Sequence, residues 1–408
     1  MKFGLIGEVL GHSYSKKIHD ALGLYEYDLL PTPPEKLESV LGDAAYGGFN
    51  VTIPYKRAVI PFCADLSPGA RAIGSVNTLL RGADGRLTGH NTDLPGFLAM
   101  LSRAEIGLTG KKVAVLGSGG TSLTARAACA ALGARETVVV SRTGETRYDT
   151  PERYRDAEVL VNTTPLGMFP NTAAAPVDLL GFSRLEAVAD VIYNPLRTRL
   201  VQQARALGVK AVSGLYMLTA QAVGAAELFT KSRLTGQAER SYTALRLEIE
   251  NIVLIGMPGC GKTAVGMALA ALTGRELLDT DALVAAAAQK SIPAIFAESG
   301  ETAFRALERE AVAAASRRAG VIISTGGGAP LLPENQAALR ENGRVYLLSR
   351  QTLATDGRPL SGDAAALRRM ALLRGPFYAA CADARIKNDA RPEDAARAIL
   401  EERLTFDS

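Results

Sequence analysis

Three short apolar runs, Phe3 to Gly7, Val113 to Gly117 and Ile252 to Gly256, end in glycine, and each is followed by a loop and then by apolar positions at helical spacing. Runs uninterrupted by polar residues are buried on both faces, and a glycine turn leading into a covering helix is the unit of parallel α/β sheets. The pattern predicts an α/β fold throughout. Thr137 to Val140 and Val321 to Thr325 read as further strands, and the Ala-rich stretches 282–288 and 311–315, flanked by charges at helical spacing, read as helices. The polar segment Lys231 to Arg240 separates the second module from the third, which places the main boundary near residue 240.

A chain of 408 residues holds two or three domains at about 150 residues each. Its 47% hydrophobic and 22% charged residues exclude a disordered chain. The net charge is +4, and +1 from Asn251 onward, with no basic arm or acidic tail, so neither nucleic acid nor a membrane surface is expected as a partner. Four scattered cysteines without a CxxC pair, and only His12, His19 and His90 to join them, argue against zinc and disulfides. His12 and His19 lack ligand spacing and are read as structural. The start is too glycine-broken for a signal peptide, and no run reaches the roughly 18 apolar residues of a membrane span. A reducing cytoplasm is the expected location.

The segment Gly256, Met257, Pro258, Gly259, Cys260, Gly261, Lys262, Thr263 has the spacing of a phosphate loop between a strand and a helix. Its glycines let successive N–H groups turn toward one centre, the lysine reaches the β and γ phosphates, and the threonine hydroxyl ligates magnesium. Asp279 and Asp281 follow, on one face if that segment is extended. Next in order come Phe304-Arg305, Gly326-Gly327-Gly328, Arg358-Pro-Leu360 and Arg374-Gly-Pro-Phe-Tyr378. In this order the motifs of residues 250 to 404 resemble shikimate kinase. The resemblance implies ATP and Mg2+, with Arg305 and Arg374 on the substrate carboxylate and Asp281 on its hydroxyls as candidate base. It further implies backbone donors from Gly326, Gly327 and Gly328, Asp279 beside magnesium, and Arg358 from a lid neutralising the transferring phosphoryl group. Only eight residues separate Ser349 from Arg358, a shorter lid segment than the family usually has.

Gly117, Ser118, Gly119, Gly120 and Thr121 open a second nucleotide site. The next strand ends in Ser141, Arg142 and Thr143, where an NAD site would usually carry an acid for the ribose 2′-hydroxyl; arginine and hydroxyls suit a 2′-phosphate instead. Around this site stand Gly11-His-Ser13-Tyr-Ser15, Asn50-Val-Thr52-Ile-Pro-Tyr-Lys56, Ile73 to Thr78, Asn91-Thr-Asp93, Asn162 to Met168, Asp190 to Pro195 and Gly214 to Gln221. Their order resembles shikimate dehydrogenase over residues 1 to about 230. That implies NADP(H), held in addition by Tyr193 and Gly214, and Lys56 with Asp93 as an acid–base pair at the reduced carbonyl. It also implies Ser13 and Ser15 on the carboxylate, with Thr52, Asn77 and Gln221 on the ring hydroxyls. Ser141 stands where the family usually has Asn, and Ser122 replaces a further small position.

The expected architecture is a substrate domain at 1–101 with a returning helix at about 214–230, and a Rossmann NADP domain at 102–213. A linker at 231–249 and a P-loop kinase domain at 250–408 complete it. The expected activity is reduction of 3-dehydroshikimate followed by phosphorylation of shikimate, with these small molecules as partners. Two alternatives stand beside it: a catabolic quinate or shikimate dehydrogenase using NAD, and a kinase-like half that senses shikimate without catalysis.

Overall fold

The computed structural model of the chain describes residues 2–11, 13–350 and 364–405; His12, Arg358 and the expected lid lie outside them. The chain divides into two compact units, Met1–Leu245 and Arg246–Ser408.

The first unit holds two sheets. One comprises β1 (Lys2–Gly7), β2 (Glu26–Pro31), β3 (Tyr46–Val51), β4 (Cys63–Leu66), β5 (Thr78–Arg81) and β6 (Leu87–His90), in the order β2-β1-β3-β5-β6-β4. β5 runs antiparallel to both of its neighbours, β3 and β6, while β1 lies parallel to β2 and β3. The second sheet comprises β7 (Lys112–Leu116), β8 (Glu136–Val140), β9 (Val159–Asn162), β10 (Ala187–Asp190) and β11 (Lys210–Val212), in the order β11-β10-β9-β7-β8 and parallel throughout. Every residue of β7, β9 and β10 is buried. Val113, Val115, Val159 and Val161 face one apolar layer and Ala114, Leu116 and Leu160 the other, which is why these strands read as unbroken apolar runs. Each such side chain contributes about 1.5–3 kcal/mol by leaving water.

The helix Leu215–Thr230 returns from the second sheet to the first, where Phe229 stacks on Phe3 with ring centroids 4.2 Å apart. It also lies tightly on the helix Asp93–Arg103: a Cβ on Gly96 would stand 2.9 Å from the Met217 carbonyl. Close backbone approach thereby ties the helix that begins at Asp93 to the one that carries Gln221.

The second unit is built on β12 (Asn251–Ile255), β13 (Leu277–Asp279), β14 (Ile322–Ser324), β15 (Gly343–Ser349) and β16 (Ala384–Lys387), in the order β13-β14-β12-β15-β16 and all parallel. The Ala-rich stretches lie in the helices Thr280–Ala288 and Ile292–Ser316, the latter broken at Gly300, whose φ is 76°.

The segment expected as a linker departs from that reading. Residues 237–249 form a helix, because Tyr242, Leu245 and Ile249 fall at i, i+3 and i+7 and make a buried stripe that the polar composition conceals. Arg103 holds its first turns in the first unit: the guanidinium meets both carboxylate oxygens of Glu239 at 3.1 Å and lies 4.4 and 5.1 Å from the rings of Tyr242 and Tyr216. Replacing Arg103 by Ala is expected to lower the stability of this unit by about 1–2 kcal/mol. Denaturant titration followed by the unit's own enzymatic activity measures it; an unchanged midpoint would show the clamp to be energetically idle.

Candidate active sites

In the first unit the carboxyl ends of β1 and β3, adjacent and parallel, open onto the same edge, where loops bring side chains together. Ser15 begins the helix after β1 and Ser13 precedes it by two residues, its hydroxyl accepting from the Ser15 N–H at 3.2 Å. Thr52 follows β3, its N–H donating to the Ile6 carbonyl at 2.9 Å. A side chain on Gly7 would stand 2.5 Å from the Thr52 methyl, so glycine there lets the two loops converge. Lys56 Nζ donates to Asp93 Oδ2 at 2.6 Å, with the lysine side chain 17% and the carboxylate 8% exposed. Asp93 is the first residue of its helix, where the helix dipole favours a negative charge.

Asn77, expected at a ring hydroxyl, is bonded to the neighbours of the Lys56–Asp93 pair. Its Oδ1 accepts the Thr92 N–H at 2.7 Å, which fixes the amide, and its Nδ2 donates to Asp93 Oδ1 and Thr92 Oγ1, both at 2.9 Å. A weaker contact reaches Gln221 Oε1 at 3.4 Å. The amide therefore holds one oxygen of the carboxylate. Lys56, Asn77, Asp93 and Gln221 thus form one bonded group, joined by Thr92 of the Asn91-Thr-Asp93 motif.

The second sheet reverses its order between β7 and β9, the point where doubly wound sheets bind nucleotides. Gly117 has φ 101°, and a Cβ there would meet Thr163 Oγ1 at 2.9 Å. Beyond it, Gly119 and Gly120 have open space where a Cβ would be, and the helix Gly120–Ala131 has no side-chain cap. Its N-terminal backbone donors suit a pyrophosphate. Arg142 and Thr143 are exposed after β8, and Ser141 is buried. Tyr193 is half-buried 5.8 Å from the Tyr14 ring. Gly214 is packed so tightly that a Cβ would lie 2.0 Å from the Val191 carbonyl, and its N–H is given to Ile192. Its evident role is to let the chain turn into the helix Leu215–Thr230. Asp190 anchors the intervening loop: it accepts from Thr198, the Ile192 N–H and Asn162, while burial still lifts its carboxyl to about 6.

In the second unit the loop after β12 carries the phosphate-binding spacing, and its shape depends on glycine. Gly256 and Gly261 have φ of 143° and 94°, and a Cβ would meet the Leu348 carbonyl at 2.6 Å or Asn388 Nδ2 at 2.4 Å, respectively. Asn388, unmarked in the sequence, supports the loop by donating to the Cys260 carbonyl at 2.8 Å. Lys262 Nζ donates to the carbonyls of Gly256 and Met257 at 2.9 and 3.1 Å. Thr263 Oγ1 lies 3.3 Å from Asp279 Oδ2, two hard oxygen donors of the kind magnesium takes.

The two aspartates do not share a strand face. β13 ends at Asp279, which caps the next helix through the N–H groups of Asp281 and Ala282, so Asp281 lies in a helical first turn. A cavity of about 230 Å³ is lined by Gly259, Lys262, Thr263, Asp279, Asp281, Gly327 and Arg350. Arg350, at the end of β15, drew no assignment from the sequence because a cation after a strand has no distinguishing spacing.

The glycine triplet provides clearance for its neighbours. A Cβ on Gly326 would stand 2.3 Å from Asp281 Oδ1 and one on Gly328 2.3 Å from Arg305 Nη1, while the Gly326 N–H is already given to Thr280 Oγ1. The Gly327 carbonyl accepts from Tyr378 at 2.6 Å and from Arg374 at 3.1 Å. Arg305 is bonded to Glu308 at 2.7 Å and to Glu301 at 3.1 Å. Burial pushes the Glu308 carboxyl up, against the pull of Arg305, and Asp281 adds to the rise. The opposite charges at i and i+3 were the available sign of that pair.

A mixed-sheet substrate region beside a doubly wound nucleotide domain, with a buried Lys–Asp pair, defines a nucleotide-dependent dehydrogenase; the second unit has the fold of a P-loop kinase. Residues 5–79 match the family model for the shikimate dehydrogenase substrate binding domain, and residues 258–403 that for shikimate kinase. The NADP(+) shikimate dehydrogenase of Clostridium perfringens is 35% identical over 260 residues, covering 59% of this chain and 96% of that protein. Shikimate 5-dehydrogenase from Thermus thermophilus, solved with NADP(H) and shikimate, is 33% identical with a TM-score of 0.53, covering 60% of this chain and 99% of that one. Quinate dehydrogenase from Corynebacterium glutamicum, solved with NAD, is 28% identical with a TM-score of 0.55, covering 60% and 98%. The chain belongs to the shikimate dehydrogenase family and carries a shikimate kinase domain after it.

The clearance at Gly326 yields a direct expectation. Gly326→Ala forces Asp281 to move, so phosphorylation should fall by about 100-fold while the dehydrogenase rate is retained. Steady-state assay of both activities on the same preparation measures this, and a near-normal kinase rate would show that Asp281 need not stay where it lies.

Proposed function

We propose that this chain catalyses two consecutive steps on one ring: NADPH-dependent reduction of 3-dehydroshikimate to shikimate, then ATP-dependent phosphorylation of the hydroxyl just formed. The observation that carries the first step is the 2.6 Å pair of Lys56 and Asp93 in a largely enclosed site. NADPH, when bound, supplies a hydride to the carbonyl carbon. The Lys56 ammonium gives its proton to the oxygen as negative charge develops there, and Asp93 keeps that ammonium aimed. Ser13 and Ser15 hold the substrate carboxylate, and Thr52 and Gln221 its hydroxyls. Gly117 to Thr121 cradle the pyrophosphate and Arg142, with Ser141 and Thr143, the 2′-phosphate. No acid stands at the end of β8, which favours NADP over NAD and this reading over a catabolic NAD enzyme.

For the second step, Arg305 and Arg374 receive the carboxylate and Asp281 takes the proton of the attacking hydroxyl. Phosphate oxygens replace the two carbonyls now bonded to Lys262. Thr263 and Asp279 would hold Mg2+, which neutralises charge on the transferring group, and Arg358 is assigned the lid role. Adjacent magnesium-type oxygens beside a phosphate loop support a catalytic domain over a ligand sensor. Among the described residues no helix is long and apolar enough to cross a membrane, and four scattered cysteines without a CxxC pair suit a reducing cytoplasm.

An assay started with 3-dehydroshikimate, NADPH and ATP should accumulate shikimate 3-phosphate through shikimate; a clear preference for NADH, or no phosphorylated product, would overturn one half of the reading. Lys56→Ala should lower the dehydrogenase kcat by about 100- to 10,000-fold and spare the kinase, and Lys262→Ala should do the reverse. Loss of both activities from either substitution would count against separate sites.

A further inference from the structure

Behind the Lys56–Asp93 pair runs a file of buried polar groups for which the reaction itself has no use. The Tyr27 hydroxyl donates to Asn50 Oδ1 at 2.8 Å. Asn50 Nδ2 donates to Thr78 Oγ1 at 3.1 Å and approaches the Asn77 carbonyl at 3.4 Å. A carbonyl only accepts, so the Asn50 amide has one orientation. Thr78, having accepted from Asn50, directs its own proton to Asn77 Oδ1 at 3.2 Å. Asn77 Oδ1 is thereby fixed by Thr78 and by the Thr92 N–H, and its Nδ2 faces Asp93. Tyr27, Asn50, Thr78, Asn77 and Thr92 are each 5% exposed or less. At the far end His19 stacks on the Tyr27 ring at 3.9 Å, and burial holds the imidazole neutral by lowering its pKa to about 3.

We infer that Tyr27, Asn50 and Thr78 are positioning residues for the dehydrogenase reaction, acting through Asn77 to hold the Asp93 carboxylate in the orientation that aims Lys56. The inference rests on the reading of Lys56 and Asp93 as the acid–base pair. Asp93 has two oxygens: one accepts from Lys56 and the other from Asn77. If the Asn77 amide could rotate, its own oxygen would face the carboxylate and repel it, and the pair would lose its aim. The rotation is blocked by three donors to Asn77 Oδ1, the Thr92 N–H at 2.7 Å, the Thr92 hydroxyl at 3.3 Å and the Thr78 hydroxyl at 3.2 Å, and the last of these is set by the chain of bonds back to Tyr27. No member needs to touch substrate, and each is deep enough that an unmade bond is costly.

Thr78→Val keeps the shape and removes the hydroxyl. Dehydrogenase kcat should fall by about tenfold with KM for shikimate changed by less than about twofold, while the kinase rate of the same chain, an internal measure of folded protein, stays constant. In an Asp93→Asn background the same substitution should cost less than about twofold further, because two residues acting through one carboxylate do not add. Thr78→Ser should restore most of the rate. If Thr78→Val does not fold, Tyr27→Phe, which removes the first donor only, should reproduce the kcat loss and the non-additivity at about threefold. Equal losses in both backgrounds, a rise in KM with kcat kept, or an unaffected rate would each overturn the inference. An inactive wild-type dehydrogenase would overturn the underlying reading as well, whereas an active wild type with unaffected variants overturns the relay alone.

Discussion

A strand buried on both faces can offer chemistry only where it ends, and both units of this protein are organised by that constraint. β7, β9, β10 and β12 are sealed along their length, so nucleotide loops and reactive side chains gather at the carboxyl edges. The turn that leaves such an edge must be tight and must leave its N–H groups free. Gly117 and Gly256 make the turn tight in backbone conformations that a side chain would strain. The same edge in the mixed sheet brings the loops after β1 and β3 together, and with them the candidate substrate-binding residues.

Close approach then sets the distances on which the chemistry depends. Gly96 lets the helix bearing Asp93 touch the one bearing Gln221, and Gly326 and Gly328 let Asp281 and Arg305 lie against the glycine triplet. Sequence reading treats such glycines as flexible turns or donors. The structure gives them a different value: they are missing atoms, and the volume of one Cβ at each is already occupied by a functional group.

The α/β class, the three sheets and the motifs at strand ends were legible because each rests on local pattern: unbroken apolar runs, glycine spacing and order. The helix 237–249 was not, because its apolar stripe is only Tyr242, Leu245 and Ile249 within a polar stretch that composition marks as a linker. Nor was the extended reading of Asp279 and Asp281, since capping by Asp279 turns the next residues into a helix. Asn388 and Arg350 act through three-dimensional neighbours 128 and more than 20 positions removed in chain, and no spacing could announce them. Arg358 lies outside the described residues, so its place in the site rests on the motif alone.

The two sites handle buried charge in the same way. Each holds its cation against a partner before any ligand arrives: Lys56 on Asp93, Arg305 on Glu308 and Glu301, Lys262 on two loop carbonyls. An uncompensated cation in such a cleft would be expensive, and a fully satisfied one would be useless. The arrangements fall between those limits by different means. Lys56 keeps its carboxylate throughout and offers its remaining protons. Lys262 is bonded to two neutral carbonyls, which a charged phosphate oxygen outcompetes. Arg305 is the most committed of the three, because Glu308 is almost fully buried and cannot turn to water. A substrate carboxylate bound there as proposed would share that guanidinium rather than displace its partner, since the five donors of an arginine fork, unlike the three of a lysine, allow it to bind two acids at once.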